Sequence, residues 1–226
     1  MNWKEKAIKY LNDSLYPIPT EVEVIEKVFR EVKETYPERT VREFLANALI
    51  HQDLWQSGTH TMVEIFPDRI EMTNPGTPLV DVNRFIDAPP KSRNDKIAIL
   101  MHLFDFCELR GSGVDRAIEA VEKAVLPAPK FIKGDFYTKV IIYPKKKFAE
   151  MTKEDSIRAC YQHCCLKYMS NEKMTNQSFR ERMGIEEKNY PMVSKIIKET
   201  INAGLIKGYA PENIVKKAIS YIPYWG

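Results

Sequence analysis

Val41, Phe44, Leu45, Ala48 and Leu49 recur at helical spacing between residues 41 and 54. That period predicts an α-helix with one apolar stripe turned to a core, and Thr40 stands where an N-cap belongs. The same stretch carries Glu43, Asn47 and His51, each four residues from the last and therefore stacked in one row along a single face. An acid and an amide at this spacing either meet solvent, the commoner fate of such pairs, or line a pocket. In a pocket, the carboxylate can hold or deprotonate a water, and the amide oxygen is a hard ligand suited to Mg²⁺. The surrounding sequence decides between these readings.

Residues 4–15 and 21–36 space their apolar positions as helices do, with Pro17 and Pro19 breaking the chain between them, and predict an α-helical lead-in. After Ser57-Gly58 the pattern changes to alternation over 61–66 and 69–73 around Pro67-Asp68, which predicts a β-hairpin. Asn74-Pro75-Gly76 ends it. The Pro-, Asp- and Asn-rich connection 77–95 exceeds ordinary loops in length, as functional loops and lids do. A buried helix is expected over 96–106, a helix opened by Gly111-Ser112-Gly113 over 114–125, and a β-branched and aromatic strand over 136–142.

Pro144 and the run Lys145-Lys146-Lys147 read as a solvated linker over 145–151. Beyond it lie helices over 153–169, over 176–183 with Thr175 as its cap and Gly184 as its stop, and over 188–203 ended by Gly204. Two closely spaced helices joined by a glycine turn have the helix-turn-helix layout, and Leu205-Ile206 with Tyr221-Ile222 supply candidate strands of a wing. The expected organisation is an α+β fold: a first domain over 1–144, a basic linker over 145–151, and a winged helix-turn-helix domain over 152–226.

Charge follows the same division. Residues 1–144 hold 19 Lys/Arg against 22 Asp/Glu, whereas 145–226 hold 15 against 9. A basic second part is where contact with nucleic acid would concentrate. Its candidate readers are Lys188, Asn189, Ser194, Lys195 and Lys198, with Lys195 and Lys198 placed for phosphates. No signal peptide or long uncharged apolar run is visible, so a cytoplasmic protein without a membrane span is expected. Cys160, Cys164 and Cys165 crowd one stretch without a second cluster and read as buried reduced thiols, with His163 pointing elsewhere.

Gly111-Ser112-Gly113 opens a helix whose free N–H groups favour phosphate, and Gly76 lets a ligand approach the backbone. Each signal is weak alone. Their order, Glu-x3-Asn helix, hairpin with a Gly turn, long loop, then Gly-x-Gly helix, resembles the GHKL ATPase fold of gyrase and the histidine kinases. A closer resemblance is carried by four stretches: Val41-Arg42-Glu43-Phe44-Leu45-Ala46-Asn47-Ala48-Leu49-Ile50-His51-Gln52-Asp53, Phe66-Pro67-Asp68-Arg69-Ile70-Glu71-Met72-Thr73-Asn74-Pro75-Gly76, Ser92-Arg93-Asn94, and Glu108-Leu109-Arg110-Gly111-Ser112-Gly113-Val114-Asp115-Arg116. It is to the family labelled ATP-dependent DNA helicase RecG-related, C-terminal. Members are described as transcriptional regulators without a helicase motor, usually fused to a Schlafen/AlbA-like domain that nothing here resembles. By that measure the chain is a C-terminal piece or a shortened member.

The resemblance implies a GHKL-ATPase-like α/β sandwich followed by the winged helix, with ATP and Mg²⁺ as ligands, double-stranded DNA as partner and a homodimer as assembly. Carried over residue by residue, Glu43 is the catalytic base toward water and Asn47 the Mg²⁺ ligand. Asn74 and Gly76 hold adenine, Arg93 reaches from the lid toward phosphate, and Gly111 and Gly113 cradle the phosphates. Asn74 stands where the GHKL fold normally has Asp, which removes a charge-assisted hydrogen bond worth about 1 kcal/mol. Two functions compete: a DNA-binding regulator that senses nucleotide or merely assembles, and an ATP-hydrolysing enzyme with nucleotide-driven dimer closure. A degenerate interaction domain is the third reading.

Overall fold

The computed structural model describes residues 21–26, 29–104, 106–107, 111–209 and 219–226, with side chains from residue 35 onward. The expected helix over 4–15 lies outside the described residues. Over 21–36 the expected helix is replaced by an antiparallel pair, β1 Glu21–Glu26 and β2 Phe29–Glu34, with Glu21 opposite Glu34 and Glu26 opposite Phe29. Val24, Val28 and Val32 fit a helical period, but Glu21-Val22-Glu23-Val24 also alternates, and β-branched residues favour the pleated conformation.

Helix α1 spans Glu38–His51 and begins behind Pro37, which occupies the N-cap position without a side-chain cap. Thr40 is therefore not a cap. It lies inside the helix, and its buried hydroxyl donates to the Ala117 carbonyl at 2.9 Å, tying α1 to the later helix α3 (Gly113–Lys123). Both helices lie on one face of a four-stranded antiparallel sheet of order β3-β4-β6-β5. Its strands are β3 Met62–Phe66, β4 Arg69–Pro75, β5 Lys130–Lys133 and β6 Tyr137–Ile142. β5, four residues with a lysine at each end, has no clear strand signature in the sequence.

Pairing sets Ile70 opposite Ile142, Met72 opposite Val140 and Asn74 opposite Thr138. Tyr36, Phe44, Ile70, Met72, Ala117, Val140 and Ile142 form the core under the helices. Burying each large side chain contributes about 2 kcal/mol. Strand period two puts Asn74 on the same face as Ile70 and Met72, so an amide side chain ends an otherwise apolar row beneath the helices. On the opposite face Glu71 binds Lys139 and takes Arg69 Nε at 2.6 Å, and the two cations in that order hold its carboxyl below the usual range.

Helix α2, Asp95–Leu103, departs from the buried helix expected over 96–106. Ala98 is its one buried residue, and Ile99, Leu100, Leu103 and Phe104 are exposed, Leu103 by 73%.

The second part of the chain builds α4 Lys153–Met169, α5 Asn176–Arg182, α6 Tyr190–Asn202 and a small antiparallel pair, β7 Ile206–Tyr209 with β8 Ser220–Pro223. Thr152 and Thr175 cap α4 and α5 by accepting from the Asp155 and Ser178 N–H groups. Lys188 and Asn189 precede α6 in a 3₁₀ turn, Glu187–Asn189, rather than lying in the helix as expected.

This part shares an apolar cluster with the first. Ile86, Ile118 and Ala128 pack with Ala159, Cys160, Cys164, Cys165, Phe179, Val193 and Ile197. Polar groups cross the same seam. Arg158 Nε donates to Ala128 O at 3.0 Å, Gln162 Nε2 to Pro129 O at 2.8 Å, and Arg182 Nη2 to Leu126 O at 2.8 Å. His163 Nδ1 lies 2.9 Å from Glu122 Oε2, and its Nε2 lies 3.2 Å from Ser178 Oγ. Cys160, Cys164 and Cys165 are buried free thiols. Burial pushes Cys160 and Cys165 up to about 12. Among the described residues no cluster of His, Cys, Asp and Glu is arranged to hold a metal, and no helix is long and apolar enough to cross a membrane.

Candidate functional site

A cavity of about 490 Å³ lies between α1, the 77–94 loop, the start of α3 and the inner face of the sheet. That volume falls in the range of small-molecule sites. Glu43, Asn47, Asn74, Arg93, Gly111 and Gly113 all line it, as does His51. Residues scattered over seventy positions thus converge on one concave surface.

Convergence depends on close approach. A Cβ on Gly113 would lie 2.8 Å from Glu43 Oε2 and 3.8 Å from Asn47 Nδ2, so the glycine lets the amino end of α3 press against the polar row of α1 without displacing the Glu43 carboxylate. Gly111 has φ 72°, and a Cβ there would meet Pro90 Cγ at 2.3 Å. Pro90 therefore seals against this turn. The Glu43 carboxylate, 4% exposed, sits where a helix amino end favours negative charge. Asn47 Nδ2 and Ser112 Oγ are buried without a hydrogen-bond partner.

At the sheet end Asn74 is buried, and its Nδ2 donates to Pro75 O at 3.1 Å, which leaves the amide oxygen as the acceptor available to a ligand. Gly76, with φ 99°, lies behind the wall rather than in it. Its N–H donates to Phe136 O at 2.7 Å, its carbonyl accepts from Thr138 Oγ1 at 2.8 Å, and a Cβ would meet Asp53 Cβ at 2.9 Å.

Arg93 uses its donors to close the loop: Nε reaches His51 O at 3.1 Å and Nη2 reaches Thr77 O at 2.5 Å, with Asp53 Oδ2 at 3.7 Å from Nη1. Asn94, whose role the sequence did not reveal, donates Nδ2 to Ile50 O at 2.9 Å and Gln52 O at 2.7 Å. Together they satisfy carbonyls at the end of α1, a task that falls to side chains when a helix ends without a following turn. Burial and the neighbouring Arg93 hold the His51 imidazole below its usual range.

The candidate DNA-facing residues occupy the outer surface of α6 and the turn before it. Lys188, Lys195 and Lys198 are exposed, and Val193, Ile196, Ile197 and Thr200 face the core. Lys188 Nζ pairs with Glu186 at 2.5 Å, and Ser194 Oγ accepts from Asn176 Nδ2 at 2.9 Å. Asn189 is half-buried at the N-cap position of α6.

Known proteins resemble this arrangement over part of its length. Residues 58–142 match the family model described as "Putative ATP-dependent DNA helicase recG C-terminal". That span holds Asn74, Gly76, Arg93, Gly111 and Gly113 and begins after Glu43 and Asn47. The crystal structure of the DIP2311 protein from Corynebacterium diphtheriae aligns with a TM-score of 0.56 at 17% identity. It covers 96% of this chain, which spans 45% of that one, and the likeness is one of fold. No curated protein matches.

Proposed function

We propose that this chain is a nucleotide-responsive DNA-binding regulator, with the cavity taking Mg²⁺-ATP and α6 addressing double-stranded DNA in a homodimer. The observation that carries the nucleotide half is the meeting of Glu43, Asn47 and the amino end of α3 across Gly113 in one cavity. The glycine cradle and the unpartnered Asn47 Nδ2, a donor that a phosphate or water oxygen would satisfy, fit such a ligand. Asn47 would hold Mg²⁺ through its side-chain oxygen, and the N–H groups after Gly111 and Gly113 would receive phosphate oxygens. The cation, once bound, neutralises phosphate charge. Asn74 accepts from the adenine amino group, and Gly76 keeps the backbone behind it close.

The DNA half is supported by element order. Three helices followed by a two-stranded antiparallel pair are the layout of a winged helix, and α6 turns Lys195 and Lys198 to solvent. Lys188 and Asn189 extend that surface, while Ser194 can join it only if its bond to Asn176 is shared or broken. A mobility-shift titration on the protein's own promoter DNA, with and without Mg²⁺ and a non-hydrolysable ATP analogue, tests the reading. Salt-dependent retention that changes with nucleotide is expected, and no salt-dependent retention would overturn it.

The buried Glu43 carboxylate favours a second reading, ATP hydrolysis. Turnover abolished in Glu43→Ala with nucleotide binding retained would establish it. Absence of binding at millimolar nucleotide would remove both readings of the cavity.

A further inference from the structure

The turn after residue 80 belongs to two parts of the molecule at once. Phe85 lines the cavity and meets Phe131 edge-on with ring centroids 5.2 Å apart. Its neighbour Ile86 is buried in the apolar cluster shared with α4. Arg84 forks onto Asp87, with Nε 2.8 Å from both carboxylate oxygens, and its guanidinium lies over the Trp225 ring at 4.9 Å. Trp225 Nε1 donates to Tyr161 Oη at 3.2 Å, and Tyr161 Oη donates to Asn83 O at 2.5 Å. Trp225 also packs edge-on against Tyr168, with centroids 5.2 Å apart. A small pocket of about 50 Å³ beside the turn is bounded by Val82, Asn83, Ile86 and Tyr161 among others.

We infer that residues 82–87 couple the cavity to the helical part of the chain: the Trp225–Tyr161 latch sets the position of Phe85, and a ligand against Phe85 is felt at the latch. The inference rests on the reading that the cavity takes a nucleotide. Asn83, Phe85 and Ile86 lie within four residues of one another, yet they contact α4, the cavity and the shared core respectively. Coupling of this kind is reciprocal, so weakening the latch must weaken binding in the cavity. Trp225 and Tyr161 are positioning residues in this scheme.

The test uses the full chain as wild type, Trp225→Ala and Tyr161→Phe. The second variant keeps the ring in the core and removes only the hydroxyl, so it holds if Trp225→Ala fails to fold. Hydrogen exchange of the 82–88 amides is measured without ligand, with β3 and β4 amides as the internal control, and affinity for the Mg²⁺ complex of a non-hydrolysable ATP analogue is measured by calorimetry. Faster exchange confined to 82–88 and affinity reduced roughly fivefold or more are expected. Unchanged exchange in both variants overturns the coupling, as does unchanged affinity. If the wild type binds no nucleotide, the nucleotide reading fails, and the exchange measurement still decides whether the latch positions the turn.

Discussion

Helices α1 and α4 are of similar length and both lie against other elements, yet their polar side chains are treated in opposite ways. On α4, Arg158, Tyr161, Gln162 and His163 each reach a specific group in the first part of the chain. On α1, Glu43, Asn47 and His51 converge on a cavity, and the Asn47 amide is buried without a partner. An unmatched buried donor costs about 1–3 kcal/mol, a cost that an acceptor bound in the cavity would relieve. The polar side chains of α4 reach across to the first part of the chain, and those of α1 turn to the cavity. Helix α3 belongs to both worlds, with Gly113 against Glu43 at one end and Glu122 against His163 and Arg182 at the other.

Breaking the α4 side should cost most. Glu122→Ala leaves the buried Arg182 guanidinium, 3.4 Å from the carboxylate, without its counter-charge. A loss of about 3 kcal/mol in urea denaturation is expected, and a loss below about 1 kcal/mol would show that the seam is held by its apolar cluster alone. The matching change on α1, Asn47→Leu, should do the reverse. Stability stays within about 1 kcal/mol of wild type, because no hydrogen bond is lost. Calorimetric affinity for Mg²⁺-nucleotide falls at least about tenfold, or roughly 1.4 kcal/mol. Instability of several kcal/mol with unchanged affinity would erase the contrast.

Asp115, in the first turn of α3, sharpens the comparison from the middle. Burial, with Glu119 and Asp87 nearby, pushes its carboxyl up to about 6. Between about pH 4 and 6 the native state thus holds a proton that the unfolded chain has released, so this group's contribution improves as pH falls from about 7 toward 4. Asp115→Asn should stabilise the protein by about 1–2 kcal/mol at pH 7.5, discounted because the site is only half-buried, with the advantage fading by about pH 4. A thermal-melt series across that range checks it, and a pH-independent difference would contradict the assignment. The smallest effect belongs to α6. Lys195→Ala should lower the slope of log affinity against log salt on DNA by about one, with little dependence on sequence.

The sequence showed much of this plan for a physical reason. Helix stops and caps are local, so Thr175, Gly184 and Gly204 fell where the turn chemistry put them, and the hairpin turned at Pro67-Asp68. The cavity was legible through its glycines, because a Gly opening a helix announces a close approach even when the approaching group is unknown. What stayed hidden depends on distant partners. Thr40 looked like a cap because nothing local tells of Ala117, 77 residues away. Asn94 looked like loop filler because its acceptors lie on α1. Residues 21–36 satisfied two periods at once, and propensity alone did not arbitrate. The apolar content of α2 argued for burial, yet its long side chains lie outward.

The three thiols of α4 carry one more consequence. Cys160, Cys164 and Cys165 are buried and pushed toward the protonated form, and they stand on the helix that faces the first part of the chain. A labelling reagent attacks only thiolate that it can reach, so in the closed molecule all three stay silent. Their modification rate then clocks how often α4 opens, counting rare excursions that the average structure does not display.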